Sequence, residues 1–333
     1  MNGNQILRIA MLFCAVIIVL AAVFNAREIF RGNPFGYAHA EKYTAGDAEI
    51  SGTVQNLDIE WANGKVTLAY HSGNTIELHE TSLQTIREDM KMRWWLDGDT
   101  LRVQYAKSGF RFSWNQDKEL TVLIPEGSAF RDVSIRATSG ALMIPEMKVE
   151  TLNLKVTSGE IVTGAEAERI SAGATSGSIV MTVPGETDTL NVGTTSGSVH
   201  VNAEKVRMLK ASTTSGDILV QADQVDTCDA GVTSGRVTVR LGAADQVNIG
   251  STSGTISVHL SKFSALKAHT TSGGITAELP GQPGFTAQLK TVSGRIDDNM
   301  HLSREGDRYI IGDGSAKVEF GSTSGNIRLN TAE

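Results

Sequence analysis

A three-residue phrase, Thr-Ser-Gly, recurs from residue 138 onward and limits what the chain can fold into. It occupies 138–140, 157–159, 175–177, 195–197, 214–216, 233–235, 252–254, 271–273 and 323–325, with Val-Ser-Gly at 292–294. From Ser to Ser the steps are 19, 18, 20, 19, 19, 19, 19, 21 and 31 residues. Self-similarity at a fixed period of about 20 residues marks a repeat architecture, in which each unit buries its apolar face only by stacking on the next.

The phase of the apolar residues says which architecture. Three positions after each Ser stands an aliphatic residue: Leu142, Ile161, Ile179, Val199, Ile218, Val237, Ile256, Ile275, Ile296 and Ile327. Two positions further on the pattern repeats, with Thr163, Ala277 and Asp298 as exceptions. About thirteen residues after Ser runs a second ladder: Leu152, Ile170, Leu190, Leu209, Cys228, Val247, Leu266 and Phe285. Apolar residues two apart are the period of a strand. Each repeat reads as strand, turn, strand, turn, with its Ser-Gly at a corner. The corner glycines are Gly140, Gly159, Gly177, Gly197, Gly216, Gly235, Gly254, Gly273, Gly294 and Gly325. Glycine suits a tight corner because it tolerates positive φ, and Ser can hydrogen-bond its local backbone. The expectation is an all-β chain, a β-solenoid of about ten coils of ~19 residues. A serial β-sandwich with Ser-Gly turns is the alternative, and the fixed phase of the ladder argues against it.

The N-terminus is of another kind. Ile6 to Phe24 reads ILRIAMLFCAVIIVLAAVF, interrupted only by Arg8. At 1.5 Å per residue this helix would span about 28 Å, close to a bilayer core. A cleaved signal peptide would use Ala38-His39-Ala40, which lies unusually far beyond the apolar run. Phe13 before Cys14 disfavours a lipoprotein. An uncleaved transmembrane signal anchor over 1–27 is the expectation, followed by a linker at 28–49. Arg8 faces Arg27, Arg31 and Glu28 across the span, so charge bias barely orients it.

From Ile50 to about 130 the pattern stays strand-like without the phrase, and this stretch is expected to cap the Ser-Gly repeat solenoid at 131–333. Asn63-Gly64 and Ser72-Gly73-Asn74 have hairpin-turn chemistry. Leu83, Ile86 and Met90 are spaced like a helix face, with Ser82 as its possible cap. All four tryptophans, Trp61, Trp94, Trp95 and Trp114, fall in the cap. They either pack its core or form a partner- or glycan-binding aromatic patch. In the long last interval, residues near 304–320 read as a hairpin inserted into one coil.

Chemistry is scarce. Net charge is −7 and no Lys/Arg stripe carries interleaved aromatics, so no nucleic-acid partner is expected. Cys14 and Cys228 make no disulfide framework, and Cys228 sits on a ladder position. The seven histidines show no ligand spacing, so neither metal nor cofactor is expected. Asp297-Asp298 is the one suggestive acidic pair, but strand neighbours point to opposite faces. No catalytic residue is assigned.

The run Glu119-Leu120-Thr121-Val122-Leu123-Ile124-Pro125-Glu126-Gly127-Ser128, leading into serial Ser-Gly-x-Ile-x-Val repeats, resembles the bacterial "putative adhesin" family of β-strand-repeat proteins over about 50–333. The family is carried as a domain of unknown function and has no catalytic residues to transfer. The resemblance implies a single N-terminal span, a cell-membrane location and an extracytoplasmic β domain. The function expected is a non-enzymatic adhesin or envelope scaffold with a cell-surface, glycan or membrane-protein partner. The alternatives are an envelope-stress sensor acting through a membrane partner and, less favoured, a carbohydrate-active β-helix enzyme.

Overall fold

The computed structural model describes residues 36–109 and 118–332. The expected anchor at 1–27, the first part of the linker and Trp114 lie outside the described residues. Among the described residues no helix is long and apolar enough to cross a membrane. One 3-10 turn, Ala40–Lys42, is the sole helical element there, and all else that is regular is strand. The chain divides into two compact units, with the boundary between Pro184 and Gly185.

The first unit opens with short strands: β1 (Thr44–Ala45), β2 (Ala48–Ile50), β3 (Asn56–Asn63), β4 (Val66–His71), β5 (Ile76–Ser82), β6 (Arg93–Asp97), β7 (Thr100–Gln104) and β8 (Lys118–Pro125). Longer ones follow: β9 (Phe130–Ile144), β10 (Lys148–Thr163), β11 (Glu166–Ser176) and the start of β12 (Ile179–Ser196). β9 and β10 pair in parallel at a shift of 19, with Leu142 opposite Ile161, Ser139 opposite Ser158 and Gly140 opposite Gly159. Like residues stack on like, as the ladder requires.

The cap departs from expectation at Asn63-Gly64. β3 runs parallel to β9, and β4 also pairs with β9 in parallel, at Val66 opposite Leu142. Asn63-Gly64 is therefore a coil corner, not a hairpin turn, and 56–71 is a coil without the phrase. β4 and β5 both pair with β8, in parallel and antiparallel respectively, so Ser72-Gly73-Asn74 joins strands on either side of β8. β7 lies parallel to β3, while β6 and then β1 add antiparallel. The helix weighed for 81–93 is absent. Leu83 stands fully exposed while Met90 and Met92 are buried, and that burial pattern fits a turn crossing the end of the stack.

The second unit continues with β13 (Val199–Ser215), β14 (Ile218–Ser234), β15 (Val237–Ser253) and β16 (Ile256–Ser272), each parallel to the next at a shift of 19. Each coil is one nearly unbroken strand rather than two strands and two turns. In β13 the buried positions are Val199, Val201 and Ala203, then Val206, then Leu209, Ala211 and Thr213. Where the spacing widens from two to three, two successive residues face outward, and the ladder skips Glu204 and Arg207. The coil bends at those points without losing its hydrogen bonds to its neighbours.

At the C-terminal end, chain order and spatial order part company. The remaining strands are β17 (Ile275–Leu279), β18 (Gly284–Ser293), β19 (Ile296–Asp298), β20 (Ser303–Glu305), β21 (Arg308–Gly312), β22 (Ala316–Ser324) and β23 (Ile327–Thr331). β22 pairs in parallel with both β16 and β18, and β23 with both β17 and β19. The last coil in sequence is thus inserted between the two before it. β20 and β21 form the antiparallel hairpin and β21 covers β18. Residues 316–320, expected as the hairpin's second arm, belong to the inserted coil instead. Phe285, counted on the second ladder, faces Ala316, and Ala287 takes the ladder place opposite Val318. Ile296 is half-buried because β19 is an outer strand; the other nine first-ladder residues are buried.

Candidate functional site

The chemistry-bearing residues of the first unit gather at the cap end of its stack. A Cβ added at Gly159 would meet the Gly140 carbonyl oxygen at 1.7 Å, and one at Gly140 would meet that of Gly64 at 1.9 Å. Next, Gly64 lies against the Lys118 carbonyl, at 1.9 Å on the same measure. Lys118 therefore occupies the corner below the glycine column. Strand alternation with the buried Leu120, Val122 and Ile124 turns its side chain inward.

There the ammonium is fully buried and surrounded. Its Nζ donates to Glu80 Oε1, to the Met90 carbonyl and, at 2.5 Å, to the Tyr105 carbonyl. It lies 3.9 Å from the Tyr105 ring centroid and 5.1 Å from that of Trp61. Glu80 is buried as well and accepts from the Met92 amide at 3.1 and 3.0 Å. Burial lowers the Lys118 pKa, and the Glu80 carboxylate opposes the shift. An amine with a lowered pKa is the raw material of Schiff-base chemistry. Here three acceptors take its three N–H donors and no solvent reaches it, so the group closes the open end of the coil instead.

The four tryptophans do not make one patch. Trp61 is core, edge-on to Tyr105 at 5.0 Å, and donates from Nε1 to the Lys118 carbonyl at 3.0 Å. Trp94 is half-buried opposite Val103 and Thr44, its Nε1 buried without a hydrogen-bond partner among the described residues. Trp95, on the other face of β6, packs against Tyr43 at 5.6 Å and His39 at 5.9 Å, with Lys42 Nζ 4.6 Å above its ring. Burial pushes the Tyr43 phenol up to about 12, with Arg102 opposing. Beside this cluster Arg102 bridges Asp58 (2.9 Å) and Asp97 (3.2 Å), and Arg136 bridges Asp58 (2.9 Å) and Glu60 (2.6 Å). The segment after the linker is pinned: Tyr37 donates from its hydroxyl to the Ala106 carbonyl at 3.0 Å and from its amide to Ser108 Oγ at 3.1 Å.

In the second unit the reactive side chains have structural work. Burial pushes the Cys228 thiol up to about 12, far from a nucleophile's range. Asp297 pairs with Arg328 at 3.4 Å, whereas Asp298 accepts from the amides of Met300 (3.0 Å) and Leu302 (2.7 Å). The corner glycines stack here too: a Cβ at Gly216, Gly254, Gly325 or Gly294 would meet the carbonyl oxygen of Gly197, Gly235, Gly273 or Gly325 at 1.8–2.1 Å. At several corners a hydroxyl two residues before the corner Ser, missed in the sequence, caps the glycine carbonyl of a neighbouring coil. Thr213 donates to Gly197 (3.2 Å), Thr270 to Gly254 (3.3 Å) and Ser322 to Gly273 (3.3 Å). The Thr-Thr doublets at 213–214 and 270–271 were its legible trace. No group of three or more His, Cys, Asp or Glu side chains that could hold a metal occurs among the described residues.

The family model described as Toastrack DUF4097 matches residues 54–265 and 165–330. No curated protein matches the chain. Three bacterial crystal structures, each called a "putative" adhesin or cell adhesion protein, are similar to it. That from Parabacteroides merdae has 12% identity over 88% of this chain and 97% of its own, with a TM-score of 0.47. Those from Clostridium sporogenes (13% identity, 87% and 100% covered) and Bacteroides fragilis (10%, 87% and 97%) have TM-scores of 0.22 and 0.32.

Proposed function

Because the chain belongs to the Toastrack DUF4097 family, we propose that it is a membrane-anchored, non-enzymatic β-repeat protein of the cell envelope, an adhesin or scaffold. Its bulk lies outside the membrane. The observation that carries this reading is the apolar run itself, followed within a short stretch of sequence by a chain bonded to the cap. Residues 6–24 can form one span, and from Tyr37 onward the chain is bonded to the cap. The same pinning favours the sensor alternative, since a load on the cap would pass through Tyr37 to a span and its membrane partner. The non-enzymatic part is supported by the occupations of Lys118, Cys228 and Asp298 described above.

Fractionation and protease accessibility test this together. The chain is expected in the membrane fraction, with its C-terminal unit digested by protease added to intact cells. Recovery in the soluble fraction would remove the anchor, and full protection in intact cells would remove the surface location. Turnover of a polysaccharide by the purified chain would argue for an enzyme.

A further inference from the structure

The pole of the cap collects features that the core leaves unexplained. The turn between β5 and β6 (83–92) and the turn after β7 (105–109) lie side by side there, because Lys107 donates its amide to the Asp89 carbonyl at 3.1 Å. Lys118 Nζ ties both turns from below through the carbonyls of Met90 and Tyr105. Tyr37 is bonded to Ala106 and Ser108 in the second turn, so the chain arriving from the N-terminal apolar run enters at this pole. On the first turn Leu83 is fully exposed and Ile86 half-exposed. A lone leucine at the surface is ordinary, but this one opens a turn that carries Arg87 and Lys91 and lies against the turn that carries Lys107. Arg87 pairs with Asp89 and Lys91 with Glu88, both at 2.6 Å, and Arg93 donates to the Glu88 carbonyl at 2.8 Å, which leaves the charges of Arg93 and Lys107 uncompensated by these acids in a chain whose net charge is −7.

From these observations we propose that the cap pole rests on an anionic membrane surface, with Leu83 entering the interfacial layer and Lys107 and the exposed ion pairs of Arg87 and Lys91 facing acidic headgroups. The proposal builds on the anchored reading above. Between Phe24 and Tyr37 only twelve residues intervene, which reach about 40 Å at full extension. The pole therefore stays within tether distance of any bilayer that holds the span. Apolar side chains flanked by Lys and Arg are the composition that settles at a lipid interface. The juxtamembrane position supplies the high local concentration that weak contacts need.

The test uses the full chain carrying Cys14→Ala, reconstituted into vesicles. A polarity-sensitive fluorophore is attached at Leu83→Cys or, as the control, at Val180→Cys on an outer sheet face. Cys228, being buried, is left unlabelled under native conditions. With phosphatidylglycerol present, the probe at 83 should shift to the blue and brighten. It should do so far less in pure phosphatidylcholine, and the response should vanish in Lys91→Glu/Lys107→Glu or at high salt. The probe at 180 should not respond. Vesicle flotation with probe 83 behaving like probe 180 would overturn the pole contact and leave the anchor standing. Flotation only with anionic vesicles, together with the shift at 83, would support the pole contact and remove the anchor. No flotation with either lipid would remove both. A blue shift that follows protein concentration rather than lipid would assign the pole to a second copy of the chain and overturn the proposal.

Discussion

At Gly216 an alanine Cβ would sit 2.0 Å from the Gly197 carbonyl oxygen, and the backbone there has φ 146°. Neither partner is a flexible side-chain tip, so two coils must separate to admit one methyl group. Gly216→Ala should cost about 3 kcal/mol or more through overpacking and backbone strain. Gly98→Ala is the matched control, with φ 63° and nothing within 4 Å of the new Cβ, and should cost about 1–2 kcal/mol. Equal melting temperatures for the two variants would refute the stacked corner. The buried Lys118–Glu80 pair makes a second case. Glu80→Gln leaves an ammonium without its counter-ion and should cost about 3–5 kcal/mol, while Glu80→Leu/Lys118→Met should recover most of that loss in a denaturant titration. Lys118 was legible in principle, since it lies in phase with Leu120, Val122 and Ile124. A lysine opening a strand nevertheless reads as surface, because the acceptors that admit it, Glu80 and two carbonyls, come from elsewhere in the chain. Cys228 tests burial through pH. An exposed thiol ionises near about 8.5, while the folded one is held up to about 12. Between those values the folded chain keeps a proton that the unfolded chain sheds, so this contribution is complete below about pH 8.5 and is lost as pH rises toward 12. Melts in mildly and strongly alkaline buffer should show a smaller loss for Cys228→Ala than for the parent chain. An unchanged loss would mean that Cys228 is not so buried.

Among the elements, the inserted terminal coil gives the sharpest contrast with sequence order. Chain ends ordinarily fray first. Here β22 and β23 have a parallel partner on each side. Among the described residues β19, which precedes them in sequence, pairs with β23 alone, and β20 with β21 alone. Amide exchange should therefore be slower at Val318, Phe320, Ile327 and Leu329 than at Ile296–Asp298 and Ser303–Glu305. The opposite ranking would restore the sequential order. The aliphatic ladder was readable because its period and phase are written ten times over, and a slip in either would turn apolar side chains to water. The insertion was not readable. Each coil offers its neighbours the same column of glycine, hydroxyl and aliphatic groups, so the pattern fixes how coils stack but not which coil lies on which. Gly64 escaped for a related reason: it continues the glycine column without the Ser that advertises the other corners.

For the whole molecule the question is how far a defect travels. Within residues 185–333 each coil meets only the coils on either side, and stability in such stacks is a sum of coil and nearest-neighbour terms. Ile218 is buried with Val199 and Val237 opposite it. Ile218→Asp puts an unpaired carboxylate into that column and should cost several kcal/mol. The damage should be graded: protection from hydrogen exchange should fall most at 199–215, 218–234 and 237–253, and least at β22 and β23. Asp217, one residue away, faces out and accepts the Arg236 amide at 2.8 Å. Asp217→Ala loses one exposed hydrogen bond and should stay within about 0.5 kcal/mol of the parent. If Ile218→Asp instead lowered protection evenly to the end of the unit, the coils would be acting as one cooperative block. If it left protection untouched, the interior column would not exist. A graded loss would also mean that a stack that yields locally lets its exposed columns vary coil by coil while neighbouring coils hold the architecture.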